Sequence, residues 1–166
     1  MSDKRIFLAF GSNLGNRLEH LKAALKYLEE HGVRIESKSR VWETAPWGET
    51  DQPAFLNMCA SARTDLDPFA LLRLLKNAEA DLGRRESSHW GPREIDIDII
   101  FFGSLVMNDQ KLTIPHPYMH ERGFVLKPLS EIAPDEEHPV SHKTVSEMLS
   151  ELPKAELENM VWISEI

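Results

Sequence analysis

Apolar and polar positions along this chain alternate between two periodicities. Residues 5–10 form a compact apolar run that stops at Gly11, the pattern of a buried strand. After the turn-rich stretch Gly11-Ser12-Asn13-Leu14-Gly15-Asn16, Leu18, Leu21, Leu25 and Leu28 recur in steps of three and four. They mark one face of an amphipathic helix that Gly32 closes. Residues 33–42 read as one half-exposed strand, with Val33, Ile35 and Val41 in phase and Arg34, Glu36, Lys38 and Arg40 opposite. Residues 43–53 carry two prolines and a glycine and form a loop, and residues 55–63 a further strand. Asp67 then caps a helix with Pro68 at its first position, Leu71, Leu72, Leu75, Ala78 and Leu82 on its buried stripe, and Gly83 at its end. Residues 83–94 make a second long loop, and residues 95–102 the clearest strand. Residues 111–123 are a third irregular stretch, leading into a short apolar turn at 124–129. The tail adds a helix around 144–152 and a last strand near 161–163, read as packing that extends the core. Strands mixed with helices, without strict βαβ alternation, predict an α+β sandwich.

Length narrows this to one domain spanning residues 1–166. The formal net charge of −8 argues against a general binder of nucleic acid or of an anionic membrane, so any anionic ligand needs cations gathered locally. A single cysteine, Cys59, excludes an internal disulfide and a zinc site built of several thiolates. The longest uncharged apolar stretch, residues 99–107, falls far short of the ~20 residues of a membrane span. Residues 6–10 are too short for a signal-peptide core. A cytoplasmic monomer with no nucleic-acid or membrane partner is expected.

Ile95-Asp96-Ile97-Asp98-Ile99 is the strongest local signal. With a period of two, both aspartates leave one strand face and the isoleucines the other. Carboxylates roughly 7 Å apart repel unless a cation lies between them, and Mg²⁺ accepts such a pair while keeping positions for phosphate oxygens. An exposed strand face whose acids are solvated, or paired with Arg93, fits the same pattern. The preceding segment, Arg84-Arg85-Glu86-Ser87-Ser88-His89-Trp90-Gly91-Pro92-Arg93, is basic inside an acidic protein. It suits a polyphosphate, because arginine forks onto phosphate and Trp90 offers a ring to stack on; a solvated loop is the bland alternative. Gly11 to Asn16 lies where phosphate loops lie but lacks the Walker A ending and the GxGxxG pattern. Thr44, Pro46, Trp47, Phe55 and Asn57 could grip a flat heterocycle, with rings for its faces and an amide for its edge; Phe55 in the core and Asn57 satisfying a backbone group is the competing reading. His116 and Arg122 reach phosphate or cap the turn that follows them.

These blocks, in this order, resemble the 6-hydroxymethyl-7,8-dihydropterin pyrophosphokinases of folate biosynthesis. The resemblance rests on Phe10-Gly11-Ser12-Asn13-Leu14-Gly15, Asp51-Gln52-Pro53 with Phe55-Leu56-Asn57, and Trp90-Gly91-Pro92-Arg93 running into Asp96-Ile97-Asp98-Ile99. Pro115-His116-Pro117 and Arg122-Gly123-Phe124-Val125-Leu126, through Pro128-Leu129-Ser130-Glu131-Ile132-Ala133-Pro134, complete it. It implies a ferredoxin-like sandwich, mainly antiparallel sheet with helices packed on it and long active-site loops. It further implies transfer of the β,γ-pyrophosphoryl group of ATP to the pterin hydroxymethyl oxygen, with AMP released. Asp96 and Asp98 would bind two Mg²⁺ ions, and Arg93 and Arg84 would be catalytic with them. Thr44, Pro46, Trp47, Phe55, Asn57, Asp96 and Phe124 fall where the family holds the pterin, Phe55 and Phe124 sandwiching it. Glu79, Arg84, Trp90, Arg93, Ile99, Lys111, Thr113, His116 and Arg122 fall where it holds ATP. His89 stands where some relatives carry arginine, with Arg85 as a substitute cation, and Tyr118 occupies a variable stretch and receives no role. Met1 and the complete motifs favour a free-standing enzyme.

Overall fold

The first strand of the chain is paired along both of its edges. β1 (Lys4–Ser12) runs between β4 (Phe55–Thr64) and β5 (Asp96–Phe102), antiparallel to both. The structure, a computed structural model, describes residues 3–44, 54–83 and 94–166. Among these, six strands form one antiparallel sheet in the order β5-β1-β4-β3-β8, with β2 (Val33–Lys38) also pairing β4 beside β3 (Val41–Thr44). β8 (Val161–Ser164) closes the far edge, and a small hairpin joins β6 (Met107–Asn108) to β7 (Thr113–Ile114).

α1 (Arg17–Glu29) and α2 (Pro68–Gly83) cover one face of the sheet. Asn16 caps α1 by accepting the Glu19 N–H, and Asp67 caps α2 by accepting the Ala70 N–H at 2.8 Å. Leu21, Leu28, Leu71 and Leu75 are fully buried against Ile6, Leu8, Met58 and Ile97. The succession β1-α1-β2/β3-β4-α2-β5 is a split βαβ pair and makes the expected ferredoxin-like α+β core. The chain then adds helices to the other face. α3 (Gly123–Ile132) and α4 (Val145–Ser150) bury Val125, Leu126, Leu129, Val145 and Met148 against Phe7, Cys59 and Phe101. Burial pushes the Cys59 thiol far above the ordinary cysteine range.

Three elements differ from the sequence reading. The stretch 33–42 is two strands, because a register shift falls between Ile35 and Ser37 and Ser39 interrupts the ladder. The Ser39 hydroxyl accepts the Cys59 N–H at 2.9 Å and donates to the Arg40 carbonyl at 2.8 Å, replacing main-chain partners at the break. Residues 124–129 are a helix rather than a turn, despite Pro128 inside it. An interior proline costs about 3 kcal/mol, whereas burying a large apolar side chain contributes about 1.5–3 kcal/mol, and α3 buries Val125, Leu126 and Leu129 together. β8 extends the sheet but not the core, leaving Val161, Trp162 and Ile163 half exposed, with the Arg40 guanidinium 4.7 Å above the Trp162 ring.

α3 is fixed at both ends. Glu131 accepts the Arg40 N–H at 3.0 Å and the Trp42 indole N–H at 3.3 Å, tying the helix to β3. At the start, a Cβ on Gly123 would lie 2.8 Å from the Glu156 carbonyl oxygen and 2.9 Å from Leu157. The tail thus seats the first turn of α3 through a contact that only glycine permits. Gly123→Ala should lower stability by about 1–3 kcal/mol, measured as the shift of the urea midpoint at constant m.

Candidate functional site

Strand register builds the site. Asp96 lies opposite Gly11 and Asp98 opposite Ala9, while Asn57 and Cys59 flank the same two residues from β4. Side-chain alternation sends Asp96 and Asp98 out on the α3 face and sinks Ile95, Ile97 and Ile99 beneath α1 and α2. Gly11 and Ala9 leave a low floor between the aspartates and Asn57. A Cβ on Gly11 would come 3.1 Å from Asn57 Oδ1 and 3.6 Å from the Phe55 ring.

Over that floor lies a cavity of about 310 Å³. Thr44, Phe55, Asn57, Asp96 and Asp98 line it from the sheet, and Arg122, Phe124 and Val125 from the start of α3. Its polar wall is fixed from within, for Asn57 Nδ2 donates to Thr44 Oγ1 at 2.7 Å and both residues are buried. The cavity therefore offers aromatic faces, an oriented amide and a carboxylate, a combination suited to a flat, polar-edged ring.

A second cleft of about 250 Å³ opens on the other side of Asp98. Ile99, Lys76, Lys111, Thr113 and His116 line it with Asp98, which belongs to both spaces. Burial pushes the His116 ring below the ordinary histidine range, Asp98 pulling it up and Arg122 down. Its Nδ1 accepts the Tyr118 N–H at 3.1 Å, so the neutral ring carries its proton on Nε2.

Of the sequence candidates, Thr44, Phe55, Asn57, Asp96 and Phe124 meet in the first cavity, and Ile99, Lys111, Thr113 and His116 in the second. Arg122 lines the first. Glu79, on α2, holds the main chain between the two aspartates: its Oε2 accepts the Ile97 N–H at 2.8 Å and its Oε1 lies 3.3 Å from Lys76 Nζ. Pro46, Trp47, Arg84, Trp90 and Arg93, with Arg85 and His89, lie outside the described residues. Sequence reasoning passed over Ala9 as floor and Lys76 as a cleft cation. The three-residue step from Lys76 to Glu79 on α2 was the available signal for the latter. Gly11, read as part of a turn or phosphate loop, belongs to β1 and to the floor of the first cavity.

Residues 7–134 match the family model described as 7,8-dihydro-6-hydroxymethylpterin-pyrophosphokinase. A 2-amino-4-hydroxy-6-hydroxymethyldihydropteridine pyrophosphokinase of Methylorubrum extorquens is 40% identical over 157 residues, covering 94% of this chain and 98% of that protein. One of Aquifex aeolicus is 40% identical over 146 residues, 88% of this chain and 91% of that one. The folic acid synthesis protein FOL1 of Dictyostelium discoideum is 44% identical over 148 residues, 89% of this chain, yet the match spans only 22% of its length. Among solved structures, a Plasmodium falciparum HPPK-DHPS has the same fold with a TM-score of 0.74 at 16% identity, over 90% of this chain and 45% of that one. The family match and these relatives thus define an enzyme of the group-transfer class. The chain belongs to the 7,8-dihydro-6-hydroxymethylpterin-pyrophosphokinase family, which transfers pyrophosphate in folate biosynthesis. Among the described residues, no helix is long and apolar enough to cross a membrane.

Burial raises the Glu79 carboxyl above the ordinary glutamate range, more than the Ile97 N–H and Lys76 lower it. An acid whose pKa is raised on folding favours the folded state below its unfolded pKa and loses that contribution as pH rises through the folded value. Glu79→Gln, which keeps an acceptor for Ile97, should therefore match or exceed the wild-type Tm at pH 7.5. The difference should close as pH falls toward the carboxylate range, as thermal unfolding across pH would reveal.

Proposed function

We propose that this chain transfers the β,γ-pyrophosphoryl group of ATP to the hydroxymethyl oxygen of 6-hydroxymethyl-7,8-dihydropterin. The observation that carries the reading is the place of Asp98, which lines both a cavity walled by Phe55 and Phe124 and a cleft lined by Lys76, Lys111 and His116. The acceptor occupies the first space and the donor the second. Thr44 and Asn57 hold the edge of the pterin, Phe55 and Phe124 its faces, with Pro46 and Trp47 completing the pocket. Glu79, Ile99, Lys111, Thr113, His116 and Arg122 hold ATP together with Arg84, Trp90 and Arg93.

The donor set suits Mg²⁺. Asp96 and Asp98 supply hard oxygens from one strand face, and among the described residues no group of three His, Cys, Asp or Glu stands ready to cage a metal. A Mg²⁺ ion held there would have positions left for water and phosphate oxygens, as Mg²⁺ prefers. Asp96 and Asp98 would hold two such ions, which when bound neutralise the phosphate chain and draw the hydroxyl toward it.

The protein's own work is alignment. The pterin oxygen forms a bond to Pβ as the bond from Pβ to the α,β-bridging oxygen breaks. AMP leaves with that oxygen, and the hydroxyl proton passes to solvent. Rigid seats on either side of Asp98 place attacking and leaving oxygens in line, and the arginines and lysines offset the charge that moves between them. No general base is required by this arrangement.

With Mg-ATP and the pterin, anion-exchange separation should give AMP in equal amount to pyrophosphorylated pterin, and only when both substrates and metal are present. ADP would refute pyrophosphoryl transfer, and ATP binding without turnover would reduce the chain to a nucleotide-binding module. Asp96→Asn and Asp98→Asn should each abolish turnover while circular dichroism and Tm stay near wild type. Retained turnover in either variant would remove that carboxylate from the reaction.

A further inference from the structure

Tyr118 is a large aromatic residue, 56% exposed, in a stretch where packing does not require one. It sits immediately before a short 3-10 turn, Met119–Glu121, and Arg122 sits immediately after it. Met119 is fully buried among the side chains beneath α3, which fixes the turn. The Arg122 N–H closes the turn onto the Met119 carbonyl at 3.2 Å. One turn apart, residues 118 and 122 come to the same side. The Arg122 guanidinium lies 5.4 Å from the centre of the Tyr118 ring and 5.5 Å from that of Phe124. Both separations are within the range of cation–π attraction.

Arg122 thus has two rings within reach and a seat in the wall of the first cavity, which it shares with Asp98. Without such rings, a long flexible arginine beside two carboxylates samples many rotamers before a phosphate arrives. Residue 118 also acts on the other wall of the junction. Its N–H fixes the tautomer of His116, and its ring lies 6.2 Å from the imidazole in an edge-to-face arrangement.

We propose that Tyr118 is a positioning residue for nucleotide binding: its ring, acting with Phe124, holds the Arg122 guanidinium ready for the polyphosphate of ATP. The proposal rests on the reading of the neighbouring cleft as the ATP site. It gives a role to a side chain that touches neither reacting atom nor metal. Phe124 and Arg122 also line the first cavity, so the contact that holds the guanidinium forms part of the wall of the ring-binding space.

The test is calorimetric titration of Mg-ATP into wild type, Tyr118→Leu, Tyr118→Phe, Arg122→Ala and the double variant Tyr118→Leu/Arg122→Ala, with Tm recorded for each. Tyr118→Leu should weaken ATP binding about two- to fivefold at unchanged Tm, the scale of an exposed cation–π contact. Tyr118→Phe, which keeps the ring, should restore wild-type affinity. The leucine substitution should have no effect once Arg122 is alanine, because the two residues act as a unit. The proposal is overturned if Tyr118→Leu binds as wild type, if its loss persists without Arg122, or if Tyr118→Phe is as weak as leucine. A Tm that falls together with affinity would equally assign Tyr118 a structural role. Wild type that fails to bind ATP at all would refute the ATP site itself, an outcome distinct from every one of these.

Discussion

The antiparallel register of β1 between β4 and β5 is the constraint on which the rest of the molecule depends. Because side chains alternate, a slip of one residue would turn Asp96 and Asp98 into the leucine-rich layer under α1 and α2 and bring Ile97 out. Burying those carboxylates unpaired would cost far more than any contact the slipped strand could gain. The core therefore enforces the site: Ile95, Ile97 and Ile99 hold their face, and the acids are left with no choice of side. Gly11 and Ala9 complete the effect from β1 by keeping the space between carboxylates and amide open.

The opposite wall depends on α3, whose two ends are secured by different means. Gly123 abuts the tail at Glu156, and Glu131 binds the start of β3. Phe124, which lines the first cavity together with Phe55, thus sits on a helix whose start is held by the tail, a segment with no catalytic motif of its own. The two spaces that share Asp98 differ in character as the two proposed substrates do: one is aromatic with a single oriented amide, the other polar, with two lysines in its lining.

Much of this was legible because it rests on short-range pattern. The leucine spacing of α1, the Asp67-Pro68 start of α2 and the alternation around Asp96 each state a local preference that the tertiary fold leaves in place. The elements that were misread are those where long-range burial overrides a local rule. Residues 124–129 read as a short apolar turn, and burial of Val125, Leu126 and Leu129 against the sheet made a helix of them, Pro128 included. Ser39 broke a strand whose alternation was unbroken on paper, because its hydroxyl bonds to Cys59, twenty residues on. In the site, the motif residues that meet around Asp98 were readable as a set, whereas the hold of Glu79 on the Ile97 N–H was not, since nothing in the seventeen intervening residues encodes it. The roles of Arg84 and Arg93 rest on family resemblance alone.

The pairing order also has a temporal side. β1 is made first, yet its neighbours in the sheet begin at Phe55 and Asp96. As the chain leaves the ribosome, the apolar faces of residues 6–10 must wait through the synthesis of nearly a hundred residues before both edges are satisfied. Distant pairings of this kind close slowly, because loop entropy is lost before the contacts that offset it are made. The aspartate pair and its floor therefore come together only once β4 and β5 are both available. The nascent protein has a helical layer to fold against well before it has anywhere to hold a substrate.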